Sequence, residues 1–219
     1  MDKEISAILT KVQEAGFEVA IVGGAVRDIL AGKDAKDWDL TTNAKPQEIL
    51  AIFANAFYNN KFGTVGVPIK RGGETRVVEI TTYRSEKGYT DSRHPDQVVW
   101  GKTLEEDLKR RDFTINAMAL RFSKNLKNAN FEILNSKFEF IDPFGGQQDL
   151  KSKIVRTVGD PTARFSEDAL RMIRAVRFAT SLVFDFDLKT KEAIVKNAEL
   201  ISKISGERIR DELFKIIDS

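Results

Sequence analysis

"IVGGAVRDILAGKDAKDWDLTT", residues 21–42, decides how the chain is read. Its β-branched start, continuous with "FEVAIV" at 17–22, predicts a strand that runs into Gly23-Gly24. Ala25 to Leu30 then predicts a helix. Glycines at such a turn let a ligand approach the backbone, and the free N–H groups of the first helical turn attract anions. Arg27 stands in that turn, where a cation opposes the helix dipole, so its presence points to an anionic partner such as a phosphate. The stretch lacks both the G-x-G-x-x-G spacing of dinucleotide sites and the Gly-Lys-Ser/Thr ending of phosphate loops. Up to Leu30 it also fits a tight strand-to-helix turn with a surface arginine.

The segment continues into "DWDL", where alternation puts Asp37 and Asp39 on one face of a strand and Trp38 and Leu40 on the other, toward the core. Two carboxylates so placed repel unless a cation lies between them. Magnesium takes oxygen ligands and keeps room for substrate phosphates, which suits paired aspartates beside a phosphate cradle. The alternative is a polar edge-strand face with Asp34 and Asp37 solvated. Glu79, between Val78 and Ile80 in "RVVEITTY" (76–83), adds a third carboxylate in a segment suited to an interior strand. A charge there is costly unless paired or metal-bound; a salt bridge to Arg76 or Arg84 is the competing reading. Three acids on neighbouring strands suit an in-line displacement at phosphorus assisted by two metal ions.

Around this segment lies a 219-residue chain, 42% hydrophobic and 31% charged, long enough to bury a proper core. It has no Cys, which excludes disulfides, thiolate metal sites and cysteine nucleophiles. The start "MDKEISAILTKVQEAG" predicts an amphipathic helix rather than a signal peptide, and no apolar run approaches membrane-spanning length. A cytoplasmic protein with no membrane partner is expected. The net charge of +2 is too balanced to argue for nucleic acid by itself. Up to about residue 150, strand-like runs ("WDLTT", "GTVGVPIK", "TRVVEITTY", "INAMALRF", "FEFID") alternate with short helical ones. After "DPFGGQQDL" (142–150) the strands are expected to stop, and "ARFSEDALRMIRAVRFATSL", "TKEAIVKNAELISKI" and "GERIRDELFKIID" read as helices. The expected organisation is a mixed α+β domain at 1–150 followed by an all-helical one at 151–219.

In "SEDALRMIRAVRF" (166–178), Ser166 is placed to cap the helix, and Asp168, Arg171, Arg174 and Arg177 recur every third residue. Met172, Ile173, Val176 and Ala179 form the expected buried side. Three arginines in a row repel unless something anionic lies against them. The plain alternative is a solvated face with Asp168 pairing Arg171.

Taken in order, "VGGAVRDILAGKDAKDWDLTTNA", "RRDFTINAMA", "DPFGGQQDL", "EDALRMIRAVRF" and "GERIRDEL" resemble the class II tRNA nucleotidyltransferase/poly(A) polymerase family, the CCA-adding group. The resemblance covers essentially the whole chain as the family's head and neck. It implies a polymerase-β-like nucleotidyltransferase head in which Asp37 and Asp39 bind Mg2+ and Glu79 matches the nearby strand carboxylate. It also implies that Gly24 and Arg27 contact the incoming nucleotide and that Arg111 reaches its phosphates. Asp168, Arg171, Arg174 and Arg177 would line the nucleotide pocket from the neck. The implied partners are the tRNA 3′ end, CTP and ATP. Asp142, Gly145 and Gly146 of the hinge-like "DPFGGQQDL" read as structural.

C and A each present an amino donor beside an unprotonated ring nitrogen, whereas G and U present a carbonyl beside a ring N–H. A carboxylate that accepts and a guanidinium that donates therefore match C and A and mismatch G and U. The long charged segment "SEKGYTDSRHPDQVVWGK" (85–102) reads as a mobile lid, and His94 within it as a solvated loop residue. Members of the resembling family usually continue into helical body and tail domains, and this chain stops at Ser219. RNA contact is then expected to rest on few phosphate interactions, with Lys203, Arg208 and Arg210 as further neck cations.

Overall fold

The computed structural model describes residues 3–35, 37–60, 63–71, 73–87, 97–123 and 138–218. It divides into two compact units, Met1–Ser85 with Trp100–Leu108 and Met118–Pro143, and Glu86–Val99 with Lys109–Ala117 and Phe144–Ser219.

The first unit opens with α1 (Lys3–Glu14), which buries Ile5, Ile8, Leu9 and Val12 at the spacing of one helical face. Gly16, at φ 89°, supplies the left-handed turn that ends it. β1 (Val19–Val22) is buried at all four positions, as befits a strand covered on both faces. It is followed by α2 (Gly24–Leu30), β2 (Asp39–Thr42) and α3 (Pro46–Ile52). Pro46 opens α3, where its missing N–H costs nothing, and the Glu48 carboxylate accepts from the Lys45 backbone N–H at 2.6 Å. β3 (Phe57–Asn60), β4 (Thr64–Arg71) and β5 (Glu74–Thr82) come next. β6 (Arg84–Lys87) and β7 (Gln97–Trp100) pair as a separate ribbon, most of whose residues are counted with the second unit. Beyond α4 (Leu104–Lys109) lie β8 (Ala119–Phe122) and β9 (Phe138–Ile141).

The main sheet has the order β3-β4-β5-β2-β1-β8-β9. β2 and β5 run parallel and every other neighbouring pair is antiparallel, so the sheet is mixed as expected. Ile21, Leu40, Ile80 and Val65, all but fully buried, form a band through its centre. Strand expectations held at β1, β2, β4, β5 and β9. "INAMALRF" did not: Thr114–Asn116 is a 3-10 turn and the strand starts at Ala119. The cause is tertiary, since the Thr114 N–H donates to Arg156 O at 2.9 Å and its hydroxyl to Asp149 at 2.7 Å.

In the second unit α5 (Gly146–Ser152) starts after Gly145, at φ 73°. β10 (Ile154–Val155), α6 (Pro161–Glu167), α7 (Leu170–Leu182), β11 (Asp185–Phe186) and α8 (Leu188–Asn197) follow. A 3-10 segment, Ala198–Lys203, and α9 (Gly206–Ile217) complete it. One core joins Phe165, Leu170, Met172, Ala193 and Ile204, and another Phe113, Ile115, Val155, Ala175 and Phe178. The Phe113 and Phe178 rings meet edge to face at 5.6 Å.

Four expectations are corrected here. Strands do not stop at residue 150, because β10 and β11 pair in parallel. The run at 163–182 is two helices: Asp168 Oδ1 accepts from the Leu170 N–H at 3.1 Å, so the side chain competes with the helical backbone and breaks it. Ser166 does not cap α7 but donates back to Thr162 O at 2.9 Å from the last turn of α6. Finally, the buried face of α7 is Leu170, Arg171, Met172, Ala175 and Phe178, while Val176 is 41% exposed.

Candidate nucleotidyl-transfer site

Register brings the predicted acids together. Asp39, at the start of β2, stands directly opposite Glu79 on the parallel β5, and on its other side opposite Val22 of β1. Opposed residues project from the same side of a sheet, and neighbouring strands are about 4.8 Å apart. Asp37, expected on the same strand face as Asp39, lies instead in the bend before β2; it is exposed, as are Asp39 and Glu79. Burial is therefore not what makes Glu79 informative. β5 is interior to the sheet, but its Glu79 side chain is exposed, while Val78 and Ile80 on the other side are 3% and 0% exposed. The three acids line a cavity of about 490 Å³ with Trp38, Ile69, Arg76, Val77 and Val78. Trp38 is only half-buried, in contrast to Leu40.

The donor set is oxygen alone. Among the described residues no group of three His, Cys, Asp or Glu side chains forms a metal cage. Magnesium fits such an open set, because it keeps several waters and draws further ligands from substrate phosphates rather than from an all-protein cage.

The Gly23-Gly24 turn follows Val22, so the Val22–Asp39 pairing sets it beside the start of β2. Gly23 adopts φ 70° and ψ −139°, a conformation essentially restricted to glycine. Arg27 folds back over the turn: a Cβ on Gly24 would lie 3.4 Å from Arg27 Nη2. Its Nε and Nη2 donate to Asp28 Oδ1 at 3.0 and 2.9 Å. The guanidinium is thus held in place by its neighbour, which sequence reading had left out.

The remaining predicted residues belong to the second unit. Arg111 is half-buried. Asp168 does not pair with Arg171; its carboxylate accepts from Arg208 at 3.0 and 3.4 Å. Arg171, 9% exposed, donates from Nη1 to Glu167 at 2.7 Å and Arg164 O at 3.2 Å, and from Nη2 to Arg110 O at 3.3 Å. Arg174 donates through Nε and Nη2 to Asp112 Oδ2 at 2.8 and 2.6 Å. Arg177 donates to Glu212 at 2.6 Å, with Lys215 on the other oxygen at 3.1 Å. The anions that the arginine row requires are therefore, in the first instance, protein carboxylates.

Electrostatics follow from this pairing. Burial would push the Asp112 carboxyl up, but the Arg174 charge and the bonds from Arg174, Asn116 and Phe113 outweigh it and hold it below the ordinary range. Arg174 is correspondingly raised, first by Asp112. For Glu212 burial is likewise opposed, by Lys215, Arg177 and Arg174, and the net direction is down.

Glu167 was legible as a partner, lying four residues before Arg171 on a helical stretch. Asp112, Arg208 and Glu212 were not, because their partners lie 62, 40 and 35 residues away. In "DPFGGQQDL", Asp149 proves the anchor, accepting from Thr114 at 2.7 Å and from Arg156 at 3.0 Å; Arg156 also reaches Asp187 at 2.6 Å. His94 and the rest of 88–96 in the expected lid fall outside the described residues, while the ends of that segment are not loop but the paired strands β6 and β7.

With this geometry in hand, comparison with known proteins is specific. The family profile described as "Poly A polymerase head domain" matches residues 19–156, and that described as "Probable RNA and SrmB- binding site of polymerase A" matches 183–219. The chain is 47% identical over 210 residues to the CCA-adding enzyme of Lactobacillus helveticus (strain DPC 4571), covering 95% of this chain and 48% of that one. To the CCA-adding enzyme of Geobacillus thermodenitrificans (strain NG80-2) it is 43% identical over 211 residues, covering 96% and 48%. It thus spans about half the length of these relatives. The crystal structure of the Bacillus stearothermophilus CCA-adding enzyme in complex with CTP superposes with a TM-score of 0.82 at 38% identity, covering 99% of this chain and 49% of that one. The Thermotoga maritima CCA-adding enzyme complexed with tRNA_CCA gives 0.76 at 28% identity, covering 100% and 48%. The sheet with its acid row and the helices with their paired arginines are those of a chain that belongs to the poly(A) polymerase head-domain family.

Proposed function

We infer that this chain carries the catalytic head and the neck of a template-independent nucleotidyltransferase that adds C and/or A from CTP and ATP to the 3′ end of tRNA. The observation that carries the reading is the register that sets Asp39 opposite Glu79 on one side of the sheet, with Asp37 lining the same cavity. The similarity to CCA-adding enzymes, one of them solved with CTP and one with tRNA_CCA, supports the substrates. In the reaction the RNA 3′ oxygen forms a bond to the α-phosphorus, the bond to the β-phosphate oxygen breaks, and pyrophosphate leaves. The hydroxyl proton passes to solvent.

Asp37 and Asp39 would hold Mg2+, with Glu79 beside them. When bound, the ion lowers the pKa of the attacking hydroxyl and stabilises charge on the phosphates. Gly24 keeps the turn open for the nucleotide, Arg27 is pre-oriented by Asp28, and Arg111 supplies charge toward the phosphates. In the neck, Asp168 accepts from the amino group of C or A while Arg171 donates to the ring nitrogen. Of the five guanidinium N–H donors, three serve Glu167, Arg164 O and Arg110 O, which fixes the plane of the group and leaves two for a base. Arg174 and Arg177 complete the wall, anchored by Asp112 and Glu212. On this reading the chain acts in the cytoplasm; among the described residues no helix is long and apolar enough to cross a membrane.

A second reading is favoured by the family's own description, that of a poly(A) polymerase. Incubation with tRNA lacking its 3′ end and each NTP separately decides between the two, with products resolved to single nucleotides. CTP-then-ATP addition that stops supports the first reading and ATP addition that runs on supports the second. No addition, with magnesium present, would refute both.

A further inference from the structure

The row that carries the acids continues past Glu79. Glu79 faces Gly66 on β4, and Gly66 faces Phe57 on β3. The order across that side of the sheet is therefore Asp39, Glu79, a position without a side chain, and an aromatic ring. The ring fills the gap. A Cβ at Gly66 would stand 2.6 Å from Phe57 Cζ, 2.9 Å from its Cε2 and 3.0 Å from Val77 Cγ1, so only glycine lets the ring lie across β4. Val77, two residues before Glu79, shares its face. Packed in this way, Phe57 is still 44% and Val77 48% exposed. The result is an apolar shelf with an open ring whose tip lies over Gly66, two strand spacings, about 10 Å, from Asp39, although Phe57 itself is rooted one strand further on β3. Val77 and Glu79 line the same cavity.

We propose that the Phe57–Gly66–Val77 shelf stacks the 3′-terminal base of the RNA that accepts the nucleotide. This rests on the nucleotidyl-transfer reading given above. Transfer requires the RNA 3′ hydroxyl at the acid end of the row, and the base joined to that hydroxyl then lies within one nucleotide of the shelf. Phe57 and Val77 carry no donor or acceptor, so they take a base by its face and not by its edge. That suits the accepting end, whose last base changes with each addition, and does not suit the incoming base, which must be read. A ring that merely covers a strand glycine would stiffen the sheet and leave substrate constants unmoved.

The test uses the 219-residue chain and an RNA hairpin ending in 2-aminopurine, whose fluorescence falls on stacking. Wild type and Asp37→Asn should both quench it. Phe57→Ala and Gly66→Ala should not, while Phe57→Trp should. In incorporation assays Phe57→Ala should raise KM for the RNA about tenfold, with KM for CTP and ATP unchanged. Thermal melts of each variant confirm that it is folded. Absence of quenching in the wild type overturns the shelf, as does quenching that survives Phe57→Ala, or an effect confined to the KM for CTP or ATP. Quenching through Phe57 without incorporation would keep the shelf and sink the transferase reading; incorporation indifferent to Phe57 would do the reverse.

Discussion

Asp112→Asn tests the electrostatics of the arginine row at its doubly hydrogen-bonded pair, Asp112 with Arg174. Asp112 accepts four hydrogen bonds: Oδ1 from the Phe113 N–H at 2.8 Å and Asn116 Nδ2 at 3.3 Å, and Oδ2 from Arg174 Nε and Nη2 at 2.8 and 2.6 Å. Asparagine has nearly the same shape but one accepting oxygen. In either orientation it loses two of these bonds and turns an NH2 against existing donors. It also leaves the Arg174 guanidinium without its closest counter-charge. Breaking a buried ion pair on one side costs about 3–5 kcal/mol. The Arg174 side chain is 32% exposed and has Glu212 at 3.8 Å, so the lower figure, about 3 kcal/mol, applies. For a chain of 219 residues unfolding as one, that is a fall in Tm of about 6–12 °C, measured by scanning calorimetry at pH 7.

The same pair sets a pH dependence. The Asp112 carboxyl lies below its ordinary value in the folded chain, so its stabilisation is fully present above the unfolded value of about 3.9 and is lost as pH falls through the lower folded one. The gap between wild type and Asp112→Asn should hold from neutrality down to about pH 4 and narrow below it. A Tm change under about 2 °C at pH 7 would refute the ion-pair reasoning. A gap that stays constant into acid would show that the loss comes from misfit and not from charge.

Asp37→Asn or Asp39→Asn should abolish magnesium-dependent incorporation, a loss of several kcal/mol of transition-state stabilisation, with Tm unchanged because both side chains are exposed; near-normal turnover of either would remove them from the metal site. Asp168→Ala should relax the rejection of UTP and GTP more than it slows CTP use, and Arg208→Ala, which frees the Asp168 carboxylate to rotate, should do the same to a smaller degree with partial recovery in Arg208→Lys; misincorporation ratios check both. Val183, 80% exposed at φ 56° at the end of α7, pays the left-handed strain of a β-branched residue. Val183→Gly should therefore stabilise by about 0.5–1 kcal/mol, seen as a higher urea midpoint at unchanged m; a lower midpoint would refute it.

The sheet was legible where alternation and β-branched residues agreed, as in β2 and β5, and the parallel pairing of those two strands was not, because no local signal encodes which strand lies beside which. β3 escaped notice since "FYNN" is short and polar at its end. The break at Asp168 was hidden by unbroken three- and four-residue spacing on either side of it. Only the Asp168 side chain reaching Leu170 N reveals that two helices meet there. In the same way "INAMALRF" has strand composition throughout, and the tie from Thr114 to Asp149 and Arg156 O overrides it.

For the site, residue types announced the chemistry and long-range pairing decided its state. A row of arginines every third residue does imply anions, and that inference was sound as physics. The anions found are Glu167, Asp112 and Glu212, the last two nearly buried and Glu167 partly exposed. This changes what the row can do. An arginine whose fork is already closed on a carboxylate does not grip a phosphate without giving up that bond, whereas it still offers its remaining N–H groups and its flat face at a fixed angle. Charge neutralised in this way gains little affinity for polyphosphate but holds donors in position against the entropy of a long side chain. Such an arrangement favours discrimination of a base edge over capture of a triphosphate. In the first unit the balance is opposite: Asp37, Asp39 and Glu79 are exposed along one cavity, and like charges there favour a cation. The division of labour proposed above, phosphate chemistry on the sheet and base reading on the helices, rests on which charges the fold exposes and which it closes on protein carboxylates.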